Sequence, residues 1–408
     1  MSRLVRVAAL TAFVAVVLLG WAGAHAYIAE RLVLDLELPP GLERTALAAL
    51  ALLLVAVPLE QVAEHVVGPR RLRPLAWGAA TWMGLAFLAV LLLGFSDGLL
   101  GLAGAALHGA GSPTTTARLR AAVVAAGALA IGLTALREAR RAPELRRWEI
   151  ALERWPAALD GLRIVQVSDL HIGPLLDRAF AERVADRVEA LAPDLIAVTG
   201  DLVDGSLRWL RDEVEPLARL RAPLGVFFVT GNHDFYSGVD GWLERVRELG
   251  MHPLRNERVT IERAGAAFEL AGVNDHNGRF FGPGNAEDLD AALAGWDGER
   301  PLVLLAHDPT TFHAASRRGV DLQISGHTHG GQIWPFGAVV RLFVGFVAGR
   351  YRRGRSELLV SRGTGFWGPP MRLRAPAEIA EIVLRAQPAG KTRVEGATSC
   401  DAKTPPVT

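Results

Sequence analysis

The stretch Ser325-Gly326-His327-Thr328-His329-Gly330-Gly331-Gln332 sets two imidazoles at i and i+2 between glycines. Neutral imidazole is the commonest protein ligand for transition metals, and short rigid turns aim it best. Four earlier clusters carry the same residue types: Asp169-Leu170-His171, Gly200-Asp201 through Asp204, Gly231-Asn232-His233-Asp234, and His307-Asp308. Each has an ordinary structural reading. Asp201 suits a helix N-cap, Asn232 and Asp234 an Asx turn, and His307 a buried strand end. Five such clusters in series, holding five of the chain's eleven histidines, are hard to explain as caps. Asp169, His171, Asp201, Asn232, His307, His327 and His329 offer oxygen and imidazole donors enough for two metal ions sharing one carboxylate. Two ions about 3.5–4 Å apart clamp the attacking and leaving oxygens of a phosphoryl displacement, and lower the pKa of bound water to about 7. Such donors suit Mn, Fe and Zn alike.

These residues need elements that bring them together. After Pro143 the chain alternates strand and helix patterns. Apolar strands are expected around 162–167, 195–198, 225–229, 302–305 and 322–324, each ending in one of the clusters. Helices are expected around 177–191, 207–220 and 238–249. Two strands around 259–261 and 268–271 precede the loop Asn274-Asp275-His276-Asn277, which could touch substrate but reads more plainly as an ordinary polar turn. Closing strands are expected at 357–361 and 379–384. In an α/β sheet, groups at the C-terminal ends of strands converge on one rim.

The motif set Asp169-x-His171, Gly200-Asp201-x-x-Asp204, Gly231-Asn232-His233-Asp234, His307 and Gly326-His327-x-His329 is similar, in kind and order, to that of calcineurin-like metallophosphoesterases. The resemblance covers roughly residues 146–386. The ending Ser361-Arg362-Gly363-Thr364-Gly365, with Pro370 to Leu373 and Glu378-Ile379, looks like the bacterial membrane-associated branch near UDP-2,3-diacylglucosamine hydrolases. The resemblance implies a four-layer αββα sandwich with two mixed sheets. It implies that Asp169, His171 and His329 hold one metal, that Asn232, His307 and His327 hold the other, and that Asp201 bridges. It makes His233, oriented by Asp204, the acid that protonates the leaving oxygen. A general acid must be free to exchange a proton, and a metal-bound imidazole is not. One small departure is Asp234, where the family often has Glu.

Before residue 140 the composition is Leu, Ala, Val and Gly. Apolar runs at about 4–26, 45–59, 75–95 and 121–136 point to about four transmembrane helices, the second and fourth shorter than the roughly 20 residues a span needs. The expected domains are a membrane region, 1–140, a metallophosphoesterase domain, 141–386, and a disordered tail, 387–408. Arginines 70, 71, 73, 137, 140, 141, 146 and 147 place the catalytic domain in the cytoplasm of a multi-pass inner-membrane protein, with Arg118 and Arg120 as exceptions. Few polar groups interrupt the spans, which favours an anchor over a transporter.

The formal charge of +1 gives no basic face for nucleic acid, and the single cysteine, Cys400, excludes a disulfide framework or a cysteine metal site. The expected partners are a phosphate-ester or pyrophosphate substrate and membrane lipids. The apolar segment 333–347 could admit acyl chains, and Arg350, Arg352, Arg353 and Arg355 could meet anionic headgroups. A buried hairpin with a solvated basic turn is the plainer reading. The function expected is a membrane-anchored dimetal phosphohydrolase acting through a metal-bridging hydroxide. The alternative is a catalytically silent metal-binding sensor or scaffold.

Overall fold

The computed structural model of the protein describes residues 3–106 and 113–387. The tail expected at 387–408 lies outside the described residues except for residue 387. The chain divides into two compact units, Met1–Arg140 with Gly368–Met371, and Arg141–Trp367 with the C-terminal remainder.

The described residues of the first unit form four long helices, α1 (Arg3–Leu32), α2 (Pro40–Val67), α3 (Pro69–Ala106) and α4 (Pro113–Ala139). Among the described residues, three segments are long and apolar enough to cross a membrane: Pro40–Ala63, Pro69–Leu102 and Thr114–Ala139. The runs that read as short in sequence belong to helices of 28 and 27 residues, α2 continuing through Pro58. A proline removes one backbone donor, but hydrogen bonding resumes on either side of it. Leu52 and Leu102 remain more than 70 % exposed, a surface that water disfavours and hydrocarbon does not.

Just outside the apolar runs read from the sequence, this unit holds a polar cluster. Arg120 bonds Asp35 at 2.6 Å and Asp97 at 2.8 Å. Arg31 bonds Asp35 at 3.1 Å and Asp97 at 3.0 Å, and Tyr27 Oη donates to Asp97. Arg118 donates to the carbonyls of Leu36 and Glu37. The two arginines that broke the charge pattern are therefore occupied within the unit.

Among the described residues the second unit contains twelve strands: β1 (Glu144–Leu152), β2 (Arg163–Val167), β3 (Leu195–Thr199), β4 (Val226–Val229), β5 (His252–Pro253), β6 (Glu257–Arg263), β7 (Ala266–Gly272), β8 (Leu302–Leu305), β9 (Leu322–Ser325), β10 (Gly349–Arg353), β11 (Ser356–Val360) and β12 (Glu378–Ala386). They form two six-stranded sheets, ordered β1-β12-β2-β3-β4-β5 and β10-β11-β9-β8-β7-β6. Both are mixed. In the first, β2, β3, β4 and β5 run parallel and β12 is antiparallel to β2. In the second, β7, β8, β9 and β11 run parallel, with β6 and β10 antiparallel at the edges.

The inner faces of both sheets share one core. Ile164, Leu195, Ala197 and Val229 come from the first sheet, and Phe268, Leu270, Val303 and Ile324 from the second. The alternate residues Val165, Ile196 and Val198 are buried too, as expected for parallel strands covered on both faces. Helix α5 (Arg178–Leu191) buries Phe180, Val184 and Val188, and Asp177 caps it by accepting from the Phe180 amide. On the other side Leu302 and Leu304 pack with Ala292 and Ala315 from helical segments and with Val320. This gives two mixed sheets with helices outside them, as the resemblance implied.

Three local expectations differ. Residues 207–220 do not form one helix but a four-residue turn of α-helix, Leu207–Leu210, and a 3-10 segment, Glu215–Arg219. Pro216 removes the amide that a continuous helix would use. Two helices follow β4 in place of one: α6 (Asn232–Tyr236) and α7 (Val239–Glu248). Between β9 and β10 lies a helix, α8 (Gly337–Val344); the hairpin with its basic turn is formed by β10 and β11 instead. Arg350 pairs with Glu357 and Arg352 with Glu153 and Glu357, so those two arginines serve the hairpin.

Candidate metal centre

All five clusters stand where the sheet rule places them. Asp169 and His171 follow β2, Asp201 follows β3, and Asn232 and His233 open α6 after β4. His307 follows β8, and His327 and His329 follow β9. The rim is thus shared by parallel strands of both sheets. The chain leaves the strands abruptly there. Asp169, His171, Asp201, His327 and His329 all have left-handed backbone, with φ of 53°, 47°, 52°, 72° and 50°. Such conformations cost of order 1 kcal/mol or more for a non-glycine residue and collect at functional sites. Gly326 permits the closest approach: a Cβ there would overlap Ser168 Oγ and Asp169 Oδ2.

Two groups of donor atoms result. Asp169, His171 and His329 converge, their ligand atoms within 4.8 Å of one another, and so do Asp201, His307 and His327. In the first, His171 Nε2 lies 3.1 Å from His329 Nε2, and His329 Nε2 lies 3.4 Å from Asp169 Oδ1. In the second, His307 Nε2 lies 3.3 Å from His327 Nδ1 and 3.2 Å from Asp201 Oδ2. That same Asp201 oxygen is 3.7 Å from His171 Nε2, so it faces both groups. Its other oxygen accepts from the His233 amide at 2.8 Å. Asn232 is buried, and its Oδ1 has no hydrogen-bond partner.

This donor set fits divalent cations. Imidazole nitrogens meet edge to edge with carboxylates beside them, and one proton satisfies only one of each facing pair. An orphaned buried carbonyl oxygen has a reason to be there if a cation accepts it. The outer nitrogens are already engaged, as ligands require: His307 Nδ1 donates to the Thr199 carbonyl at 2.7 Å, and His171 Nδ1 to Asp204 Oδ1 at 2.9 Å. Burial, together with the charges of His171 and Arg372, holds His329 well below the usual imidazole range, in its neutral form. Burial opposes the charge of Asp201, but His307 and His233 outweigh it and hold the carboxyl well below its usual range.

His233 also lies within reach of His171 and Asp201. Its Nδ1 donates to Asp204 Oδ1 at 2.7 Å, the oxygen that also takes the His171 proton. Burial disfavours charge on His233, yet Asp204, Asp201 and Asp234 raise its pKa to about 9. Its ring lies edge-on to His171, Tyr236 and Trp367, with centroids 4.8, 5.3 and 5.4 Å away.

Asp234 is structural. Its carboxylate accepts from the amides of Asp201, Leu202 and Gly231, tying the end of β3 to that of β4. Burial and the nearby Asp201 push it up to about 7.

Three residues near the site lie outside the set of candidate ligands and catalytic residues. Asp275, read as part of an ordinary turn, is 2 % exposed, has an unpartnered Oδ2, and feels the charges of His307, His327 and Asp201. It follows β7, so the strand-end rule was the signal for it. Arg372 is fully buried and donates to the carbonyls of Gly365 and Ala375, with Nη2 3.3 Å from His329 Nδ1. Trp367 stands beside His233, its backbone clasped on both sides by the Gln332 amide at 2.8 and 3.0 Å. Gly330 and Gly331 are both closely packed. A Cβ on Gly331 would overlap Gly337, and one on Gly330 would press on Arg362.

The calcineurin-like phosphoesterase family matches residues 162–331, which include all seven candidate ligands, His233 and Asp204. A transmembrane protein with metallophosphoesterase domain from Bos taurus is 37 % identical over 317 residues, 74 % of this chain and 71 % of its own length. The chain belongs to the calcineurin-like phosphoesterase family. A protein of the same description from Danio rerio is 38 % identical over 60 % of this chain, which spans 58 % of that relative. An uncharacterized metallophosphoesterase from Aquifex aeolicus is 34 % identical over 60 % of this chain and 92 % of its own. For a calcineurin-like phosphoesterase, the parts outside the family match are informative: Trp367, Arg372 and α8 all lie beyond residue 331.

Proposed function

We propose that this protein is a membrane-anchored phosphohydrolase that uses two divalent cations to cleave a phosphodiester or pyrophosphate bond. The observation that carries the reading is the single oxygen of Asp204 shared by His171 Nδ1 and His233 Nδ1. It fixes the tautomer of a metal ligand and of a proton donor together, a pairing that a silent metal-binding sensor does not need. Asp169, His171 and His329 would hold one cation, Asn232, His307 and His327 the other, and Asp201 both. Cations bound there would supply Lewis-acid stabilisation of phosphoryl charge and an activated water. His233 keeps Nε2 free while Asp204 holds Nδ1, so a proton can pass from Nε2 to the leaving oxygen. His233 is assigned as the acid and not as a ligand because its Nδ1 is committed to Asp204 and each cation has a full donor set without it.

The apolar helices of the first unit support anchoring. With Arg118 and Arg120 occupied by local partners, the remaining basic clusters support a cytoplasmic catalytic domain at the inner membrane, which requires α1 to cross as a fourth span beside the three segments above. A lipid-linked substrate, of the kind the likeness to UDP-2,3-diacylglucosamine hydrolases suggests, suits an anchored enzyme. The test is hydrolysis of bis-p-nitrophenyl phosphate by the full chain in detergent, with Mn²⁺, Fe²⁺ or Zn²⁺ added after chelation. Metal-dependent turnover that Asp201→Asn abolishes is expected. A folded, metal-loaded protein inactive on diesters, monoesters and pyrophosphates overturns the reading.

A further inference from the structure

We propose that α8 is an interfacial helix that seats the catalytic rim on the surface of the bilayer; this rests on the membrane-anchored reading above. The helix is Gly-Ala-Val-Val-Arg-Leu-Phe-Val, and none of its residues is buried. Val340 and Val344 lean half-buried on the domain. Val339, Leu342 and Phe343, at helical spacing of three and four, share another face and are 42 %, 79 % and 80 % exposed. Trp334 and Phe336, just before the helix, are 59 % and 44 % exposed. In water a catalytic domain has no use for such a surface.

Charge identifies what covers it. Between Asp321 and Glu357 the chain has no acidic residue and five arginines. Arg350 and Arg352 are held in ion pairs and Arg355 reaches the Gly319 carbonyl, but Arg341 and Arg353 make no ion pair among the described residues. Arg374, likewise without an ion pair, stands over the Trp334 ring at 5.9 Å. At the other end, Phe346 packs on His313, whose pKa is pushed down by burial and by Arg353 and Arg317. Apolar side chains ringed by free arginines match the boundary between acyl chains and anionic headgroups. A second copy would bring the same arginines against one another.

The helix is fastened to the chemistry. Gly337 abuts Gly331 of the histidine turn, Thr328 Oγ1 donates to the Val347 carbonyl, and Gln332 clasps Trp367 beside His233. Seating α8 therefore fixes the height and tilt of the rim, so that a phosphate at headgroup level meets it without leaving the bilayer.

The test uses the full chain in nanodiscs of phosphatidylcholine with phosphatidylglycerol. In a Cys400→Ser background, a nitroxide is placed by Leu342→Cys or Phe343→Cys, with Asp186→Cys on α5 as the aqueous control. Labels at 342 and 343 are expected to collide more with oxygen than with a water-soluble nickel chelate, and the label at 186 the reverse. Omitting phosphatidylglycerol, or adding Arg341→Glu, is expected to weaken the immersion. Equal nickel access at 342, 343 and 186 overturns the proposal, as does immobilisation with dipolar broadening between two labels, which would mean a second copy. No turnover is read, so failure here is distinct from failure of the hydrolase reading.

Discussion

Asp204 serves two imidazoles with one oxygen, and that makes its replacement distinguishable from that of either partner. His233→Ala is expected to keep both cations and to slow turnover by roughly 10²-fold or more, the usual size of a general-acid effect. Metal analysis beside kcat decides it; loss of metal as severe as in Asp201→Asn would make His233 a ligand. Asp204→Asn is expected to lower both turnover and metal affinity, the latter by roughly 10–100-fold, because it also releases His171. Asp275→Asn tests the residue that reads most plainly as part of a turn. Its unpartnered buried oxygen and its field at His307 and His327 predict weaker retention of one of the two cations, with a normal fold, in a chelator titration. The candidate ligands were legible because metal chemistry admits few residue types and β-strands deliver them to one rim. Asp275 was not, because an Asn-Asp-His-Asn loop is equally good turn chemistry.

At the scale of elements, the strands could be read closely and the connections could not. Strands buried on both faces, such as β3, appear as short unbroken apolar runs whatever surrounds them. Residues 207–220 have helical composition, but Pro216 breaks the hydrogen-bond ladder, and the segment of α8 looked like a hairpin because Val and Phe favour strands over helices. The left-handed turns at His171, His327 and His329 were invisible, since nothing in a histidine asks for positive φ. What allows the turns to nest is Gly326. Gly326→Ala would drive a methyl into Ser168 and Asp169, and overpacking of this kind costs about 1–3 kcal/mol. The expected outcome is a lowered midpoint in denaturant and loss of the cation held by Asp169. Gly265→Ala is the contrast: it meets no atom within 4 Å, so its positive φ of 74° is its only source of strain and metal content should not change.

For the whole molecule, the placement of the donors ties the cations to folding. Asp169, His171, Asp201 and Asn232 follow strands of one sheet, and His307, His327 and His329 follow strands of the other. The apolar core already joins the sheets, but at the rim the contact is polar and rests on imidazoles crowded against carboxylates. Cations there bind the folded domain and not the unfolded chain, so they stabilise it by mass action. The gain is about 2.7 kcal/mol at a hundred times the dissociation constant and about 4.1 kcal/mol at a thousand times. Calorimetry of the full chain should therefore show a transition that a chelator moves to lower temperature and that added Mn²⁺ or Zn²⁺ restores. Asp201→Asn removes the carboxylate that faces both groups, so its transition should lie low already and respond little to chelator. The ion pairs of Arg120 with Asp35 and Asp97 involve no metal donors, so Arg120→Ala should weaken the helical unit and leave the chelator response intact. A chelator that strips the metal from the native protein without moving any transition would show that the rim is held by its own hydrogen bonds, and that the cations serve chemistry alone.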